Sequence, residues 1–460
     1  MGYNVREQYQ AKLTTAEEAM RQVQPGYWID YGFFNGKPVQ CDQALAARKE
    51  ELSEVVVLAA VTLPPVPEVL MKDPQGDVFT YNDFHFSPLS RILQENLPNV
   101  YYNPILYSDC ERYYSDINND PSVVGTPKRQ ASIVQVTPMD EYGYFNFGLH
   151  NSSTFQSLTH ADLVVVEVNQ KLPICLGGQK ERIHISQVTH VVEGDNPDLI
   201  TLPMLEPGAV EDQIAQNVMP FLSDGCCLQL GIGAIPNAIG MMINKSDLEK
   251  LGGHTEMLVD AYVDLWESGK MNGLQKNIDQ GKIAYTFAVG SQRLYDFMHN
   301  NPALASYNVG YINNPHIIAS IDKMVSINQA VQVDLYSQIN AESMGFKQVS
   351  GNGGMWDFVL GSYWSKGGRS IICLASTFVN KSGNRFSRIV PYFEPGSITT
   401  VPRQMVNIII TEYGAISLKG DSTWARAEKI ISIAHPDFRD ELIQAAARQK
   451  IWRRSNRLEL

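Results

Sequence analysis

Six short apolar runs, at residues 55–61, 133–136, 163–168, 283–289, 371–374 and 408–410, are rich in valine and isoleucine, and most lack strict alternation with polar residues. A strand with one wet face alternates and a strand covered on both faces does not, so the pattern fits parallel strands sandwiched between helices. Helical spacing fills the intervals. Val210, Ile214 and Val218 stand at i, i+4 and i+8, the apolar residues Ile430, Ile431 and Ile433 follow Trp424, and Phe438 and Leu442 follow the start signal Pro436-Asp437. The prediction is an α/β fold with mostly parallel sheets flanked by helices.

At 460 residues the chain exceeds the length at which a single hydrophobic core stops growing, so two or three domains are expected, and the linker signal favours two. The best linker is Leu202-Pro203-Met204-Leu205-Glu206-Pro207-Gly208, where two prolines and a glycine precede a fresh helical pattern. It divides the chain into residues 1–207 and 208–460. Val166-Glu167 and Thr411-Glu412 each end an apolar run, an echo that fits either two similar halves or coincidence.

A net charge of −12 with no block of lysine and arginine before Arg453-Arg454 argues against a nucleic-acid partner, although a few placed cations and backbone N–H groups suffice for a small anion. The six cysteines, Cys41, Cys110, Cys175, Cys226, Cys227 and Cys373, show neither CxxC nor zinc spacing, and reduced thiols in the cytosol are expected. The start lacks a signal-peptide core, and no run reaches the roughly 18 apolar residues of a membrane span. A cytoplasmic protein without a membrane partner is the reading. The ending Leu458-Glu459-Leu460 reads as native chain or as added residues.

Three segments can carry chemistry. Around Gly231-Ile232-Gly233-Ala234-Ile235-Pro236 the pattern is strand, glycine turn, then a helix with proline in its first turn. Such a junction turns N–H groups outward and suits an anion or a carbonyl oxygen; it also reads as a tight turn with no ligand. Pro236 stands where a dinucleotide fingerprint needs glycine. Glu256, in Gly252-Gly253-His254-Thr255-Glu256-Met257, is expected at a loop-to-element junction, either as a nucleophile entering a cleft or as a helix N-terminal carboxylate favoured by the dipole. His254 lacks a second histidine four residues on, so no metal site is expected. Asn340-Ala341-Glu342-Ser343-Met344-Gly345 leads to Ser350-Gly351-Asn352-Gly353-Gly354-Met355-Trp356-Asp357-Phe358, whose glycines either aim N–H groups at developing negative charge or form a solvent loop. Lys366, Arg369 and Lys381 are surface charges or phosphate partners.

Together these pieces resemble the acetyl-CoA hydrolase and transferase branch of the class I coenzyme A transferases. The likeness spans nearly the whole chain through LQLGIGAIPNA (228–238), HTEM (254–257), NAES (340–343), SGNGGMWDF (350–358), SRIVP (387–391), TEYG (411–414) and IAHPDFR (433–439). The flanking stretches YWIDYGF (27–33), FNFG (145–148), CLGG (175–178) and IWRRSNR (451–457) narrow it toward enzymes that use butyryl-CoA and acetate. One departure is Met355-Trp356, which bears on the shape of the acyl pocket.

The resemblance implies two α/β domains with the active site at their interface, and a nucleophilic glutamate at Glu256. It implies coenzyme contacts at Gly231, Ile232, Gly233, Ala234, Ile235, Val331, Gly354 and Lys381, with Gly354 also stabilising an oxyanion. The CoA thioester is then a substrate, no cofactor is tightly bound, and the partners are an acyl-CoA and a short-chain carboxylate. A homodimer or larger homo-oligomer is implied too. CoA passes between a short-chain acyl-CoA and a carboxylic acid by a ping-pong route through a glutamyl-CoA thioester. The alternatives are transfer to 4-hydroxybutyrate, hydrolysis of the acyl-CoA, or a CoA-binding protein without catalysis.

Overall fold

The structure is a computed structural model that describes residues 4–119, 122, 127–453 and 455. Residues 1–3, the final residues 458–460, and positions 454, 456 and 457 of the stretch 451–457 lie outside the described residues. The chain forms two compact units, Met1–Leu202 with Ala284–Ile312, and Pro203–Ile283 with Asn313–Leu460. The first break falls inside the expected linker, five residues before the expected boundary. The correction is that Ala284–Ile312 clusters with the first unit, so neither unit is a continuous half. Proline and glycine punctuation marks where a chain bends, whereas the unit a segment joins is decided by packing, which the linker signal does not carry.

In the first unit eight strands form one sheet in the order Leu13–Thr14, His190–Glu193, Leu163–Val168, Ala131–Val136, Trp28–Phe33, Val55–Ala60, Phe79–Asp83 and Val100–Tyr102, and every pair is parallel. All six residues of Ala131–Val136 and of Leu163–Val168 are buried, as the absence of alternation predicts. A core of Val55, Val57, Phe79, Tyr81, Ile133 and Val165 lies on one face, packed against residues of the helix Gln40–Ala46.

In the second unit the sheet runs Gly252–Leu258, Cys227–Leu230, Met324–Gln329, Arg369–Cys373, Ile408–Thr411 in parallel, closed by Gly414–Ser417 antiparallel to its neighbour. Predicted helices form where expected. Ala209–Val218 starts at Gly208, whose N–H donates to Glu211 at 3.0 Å. Pro436–Arg448 starts with proline at its first position, where the missing N–H costs nothing, and buries Leu442, Ala445 and Ala446.

The topology fixes where a ligand can sit. From Cys227–Leu230 the next strand in sequence, Gly252–Leu258, is laid on one side, while Met324–Gln329 is laid on the other. The winding direction therefore reverses between Cys227–Leu230 and Met324–Gln329. In open parallel sheets, that reversal opens a crevice beyond the carboxyl ends of the strands.

Candidate active site

Glu256 is the fifth of seven residues in the strand Gly252–Leu258, neither at a loop junction nor at a helix N-terminus. Both positional expectations are thereby corrected. The glycine pair that weakened the strand signal has a packing role: a Cβ on Gly252 would lie 2.7 Å from the Lys276 side chain, and one on Gly253 2.7 Å from Ile283. Only glycine lets those neighbours approach the backbone so closely. Lys276 then clamps the strand, its ammonium donating to the carbonyls of Gly253 at 2.9 Å and Lys282 at 3.0 Å.

This strand pairs with Cys227–Leu230 only at Cys227 with Gly252 and Leu228 with Gly253, and then the ladder ends. Tyr262 fills the gap. Its buried hydroxyl accepts from the Leu230 N–H at 2.9 Å and donates to the Leu228 carbonyl at 3.3 Å. The strand end that feeds the glycine turn and the strand that carries Glu256 are both anchored before they diverge.

The Glu256 side chain is half-buried. The Asn313 side-chain amide donates to its Oε2 at 2.6 Å, and the Gly354 backbone N–H donates to the same carboxylate. Burial pushes its pKa from the ordinary 4.5 up to about 8; the Asn313 hydrogen bond opposes the rise, the negative charge of Asp357 adds to it, and the Gly354 N–H opposes it. A carboxylate partly shielded from water and held by two donors is a stronger base and nucleophile than one fully in solution.

Gly354 caps the helix Met355–Trp364, with ordinary backbone angles of φ −91° and ψ 12°. Glycine is required there for space: an added Cβ would stand 1.9 Å from Glu256 Oε2 and 2.2 Å from Asn313 Nδ2. The segment 350–358 is thus no solvent loop. Met355 is buried in the core of this unit with Val359, Ile372 and Leu374, and Trp356 beside it is half-buried. Asn340 is buried and ties the NAES segment into a turn, its Oδ1 accepting from the N–H groups of Glu342 and Ser343 at 3.0 Å each.

Glu256 and Gly354 are in direct contact, the 231–235 segment and Val331 follow the carboxyl ends of strands of the same sheet, and Lys381 lies in a separate two-stranded hairpin. The 231–235 segment follows Leu230, at the end of its strand, and the helix Ala234–Lys245 begins there after Gly233. Val331 lies two residues beyond Gln329, and Lys381 sits exposed in the hairpin turn between Thr377–Val379 and Arg385–Ser387. Asn313, 57 positions from Glu256, was missed. A polar residue in Asn313-Asn314-Pro315 reads as a helix cap, which Asn314 is, and local sequence carries nothing to separate the two. Among the described residues no group of three or more His, Cys, Asp or Glu side chains is placed to hold a metal ion, and no helix is long and apolar enough to cross a membrane.

Two family profiles match the chain, the acetyl-CoA hydrolase/transferase N-terminal domain over residues 2–202 and its C-terminal domain over residues 290–446. Butyryl-CoA:acetate CoA-transferase from Anaerostipes caccae is 46% identical over 98% of this chain and 99% of its own length. A probable butyrate:acetyl-CoA coenzyme A-transferase from Syntrophomonas wolfei is 44% identical over 98% of each. Among solved structures, RipA from Yersinia pestis is 33% identical and covers 97% of this chain and 100% of its own, with a TM-score of 0.85.

Proposed function

This chain belongs to the acetyl-CoA hydrolase/transferase family, and from that premise we propose that it moves CoA between butyryl-CoA, or a similar short-chain acyl-CoA, and acetate, by way of a glutamyl-CoA thioester on Glu256. The observation that carries the reading is the Glu256 carboxylate held by Asn313 and Gly354 with its pKa raised to about 8.

In the first half-reaction a Glu256 oxygen attacks the thioester carbonyl, and the C–S bond breaks to give a mixed anhydride and CoA thiolate. The thiolate attacks the glutamyl carbonyl, releasing butyrate and leaving CoA on Glu256. Acetate then attacks the same carbonyl, thiolate leaves, and its attack on the acetyl group yields acetyl-CoA and the free carboxylate. Thioester energy is kept because each bond is exchanged for one of similar energy. Each attack builds an oxyanion, and N–H groups around Gly354 are the donors assigned to it; losing one such donor typically costs about 10²-fold or more. The N-terminus of Ala234–Lys245 with its preceding turn, together with Val331, Gly354 and Lys381, is assigned to the coenzyme, where a helix N-terminus and a lysine favour anionic groups. Its distant nucleotide contributes binding energy usable at the thioester, so truncated thioesters should turn over poorly.

The test is incubation with butyryl-CoA alone, reduction with borohydride, and mass spectrometry of the Glu256 peptide. Stoichiometric conversion of that glutamate to its alcohol is expected, and an unmodified peptide would sink the reading. Free CoA released without acceptor as fast as acetyl-CoA forms with acetate would mark a hydrolase instead, and faster turnover of 4-hydroxybutyryl-CoA would reassign the acyl group. Six free, buried cysteines favour a reducing compartment such as the cytosol. A homodimer or larger homo-oligomer is the assembly proposed, to be checked by light scattering.

The ionised carboxylate is the nucleophile, so its fraction must rise as pH climbs toward about 8. The acylation rate, measured as kcat/KM for the thioester, should climb about tenfold per pH unit below that value and then level. A flat profile down to the ordinary 4.5 would show that burial does not raise the pKa of Glu256. Asn313→Ala removes a donor that favours the anion, so its limb should move to still higher pH.

A further inference from the structure

Where the winding reverses, the Gln329 side chain reaches from one strand to the turn that follows its neighbour. Gln329 is the last residue of Met324–Gln329, held by register pairing with Cys373 and by the next residue, whose N–H (Ala330) donates to the Cys373 carbonyl at 3.1 Å. From that fixed base its Nε2 reaches across and donates to the Ile232 carbonyl at 2.9 Å. Ile232 is the middle residue of the turn that follows the neighbouring strand, and it is 42% exposed. The turn also packs on the amide: at Gly233, with φ +117°, an added Cβ would lie 3.2 Å from Gln329 Nε2. The far side is pinned by Asn237, whose Nδ2 donates to the Leu205 carbonyl at 2.9 Å.

We propose that Gln329 is a positioning residue for the coenzyme, its amide holding the 231–233 turn so that the N–H groups at the start of Ala234–Lys245 are presented before the ligand arrives. This rests on the reading above, in which that turn meets CoA. The carbonyl it engages is an acceptor only, so the interaction needs a donor at position 329. A turn of two glycines around an exposed isoleucine samples many conformations unaided, and a ligand that must order it binds more weakly by the cost of ordering. Preorganisation by one hydrogen bond corresponds to about a three- to tenfold change in affinity.

The experiment uses the full chain and CoA itself. Direct titration by calorimetry gives the Kd for Gln329→Ala, Gln329→Asn and Gln329→Glu, with steady-state kinetics and thermal melting alongside. Gln329→Ala should weaken CoA binding about three- to tenfold and raise KM by a like factor, with kcat and Tm close to wild type. Gln329→Asn, one methylene short, should not restore binding. Gln329→Glu, the same shape with acceptors in place of the donor, should bind worse than alanine. Gly233→Ala combined with Gln329→Ala should be non-additive, since both act on one turn. Wild-type Kd in both the alanine and glutamate variants would overturn the proposal, as would losses that track Tm. A wild-type enzyme that binds CoA but never labels Glu256 would defeat the covalent mechanism while leaving this inference standing.

Discussion

Glu256→Gln should lower kcat/KM for CoA transfer by at least about 10³-fold and, at the same time, stabilise the fold in a pH-dependent way. Glutamine keeps the carbonyl oxygen that accepts from Asn313 and Gly354 but cannot carry the acyl group. The stability effect follows from the raised pKa. Between the ordinary value of 4.5 and the folded value of about 8 the native chain retains a proton that the unfolded chain has released. Stability therefore falls as pH rises through that window, and the whole penalty is present above it. The ceiling is about 3–5 kcal/mol, and local water penetration lowers it. The Tm of the glutamine variant should thus match wild type near about pH 5 and exceed it by several degrees near about pH 8.5. Unchanged transfer activity would remove Glu256 from the chemistry, and a Tm difference equal at both pH values would show that its pKa is not raised in the folded chain.

The two effects oppose each other by design of the site. Burial that makes the carboxylate reactive also makes the folded chain less stable once it ionises. Asn313 and the Gly354 N–H recover part of that cost while leaving the oxygen able to attack.

Much of the fold was legible because parallel strands announce themselves. The run at 163–168 appears as Leu163–Val168, buried throughout, and the run at 408–410 as Ile408–Thr411. The Glu256 strand was not legible, since Gly252 and Gly253 depress strand propensity and their purpose lies with Lys276 and Ile283, outside the local window. Asn313 was hidden for the same reason: its partner is brought near only by the folded sheet. The role of Gly354 was visible as a glycine cluster, but its cause was read differently. Sequence suggested exposed N–H groups, and the structure adds a steric requirement set by the carboxylate. The echo of Glu167 and Glu412 has a physical counterpart within each unit. Glu167 accepts from the N–H groups of Val39 and Cys41 at 2.8 and 2.9 Å, and Glu412 accepts from the Ser376 N–H at 2.9 Å. Each carboxylate stands at or just past a strand's carboxyl end and ties down a segment that follows another strand, a local need that does not by itself require a shared origin.

Gly354→Ala tests the steric requirement most sharply, because the backbone there tolerates alanine and the neighbours do not. With φ at −91° no strain arises, and at a helix cap the change costs a few tenths of a kcal/mol to about 1 kcal/mol, so the fold should survive with Tm lowered by only a few degrees. The new methyl, however, falls 1.9 Å from Glu256 Oε2 and 2.2 Å from Asn313 Nδ2, well inside any contact distance. Glu256 must swing away, breaking both donors at once. A displacement of about 1 Å at a reacting atom costs about 10²-fold, and loss of an oxyanion donor a similar factor, so kcat/KM should fall by about 10²- to 10⁴-fold. The cause can be separated from general damage with Glu256→Asp, which draws the carboxyl back by one methylene and leaves room for the methyl. On that weakened background Gly354→Ala should cost far less than on wild type, a coupling expected only of groups in contact. Equal losses on both backgrounds, or an alanine variant that still acylates Glu256 at the wild-type rate, would show that the glycine serves the helix start and not the carboxylate.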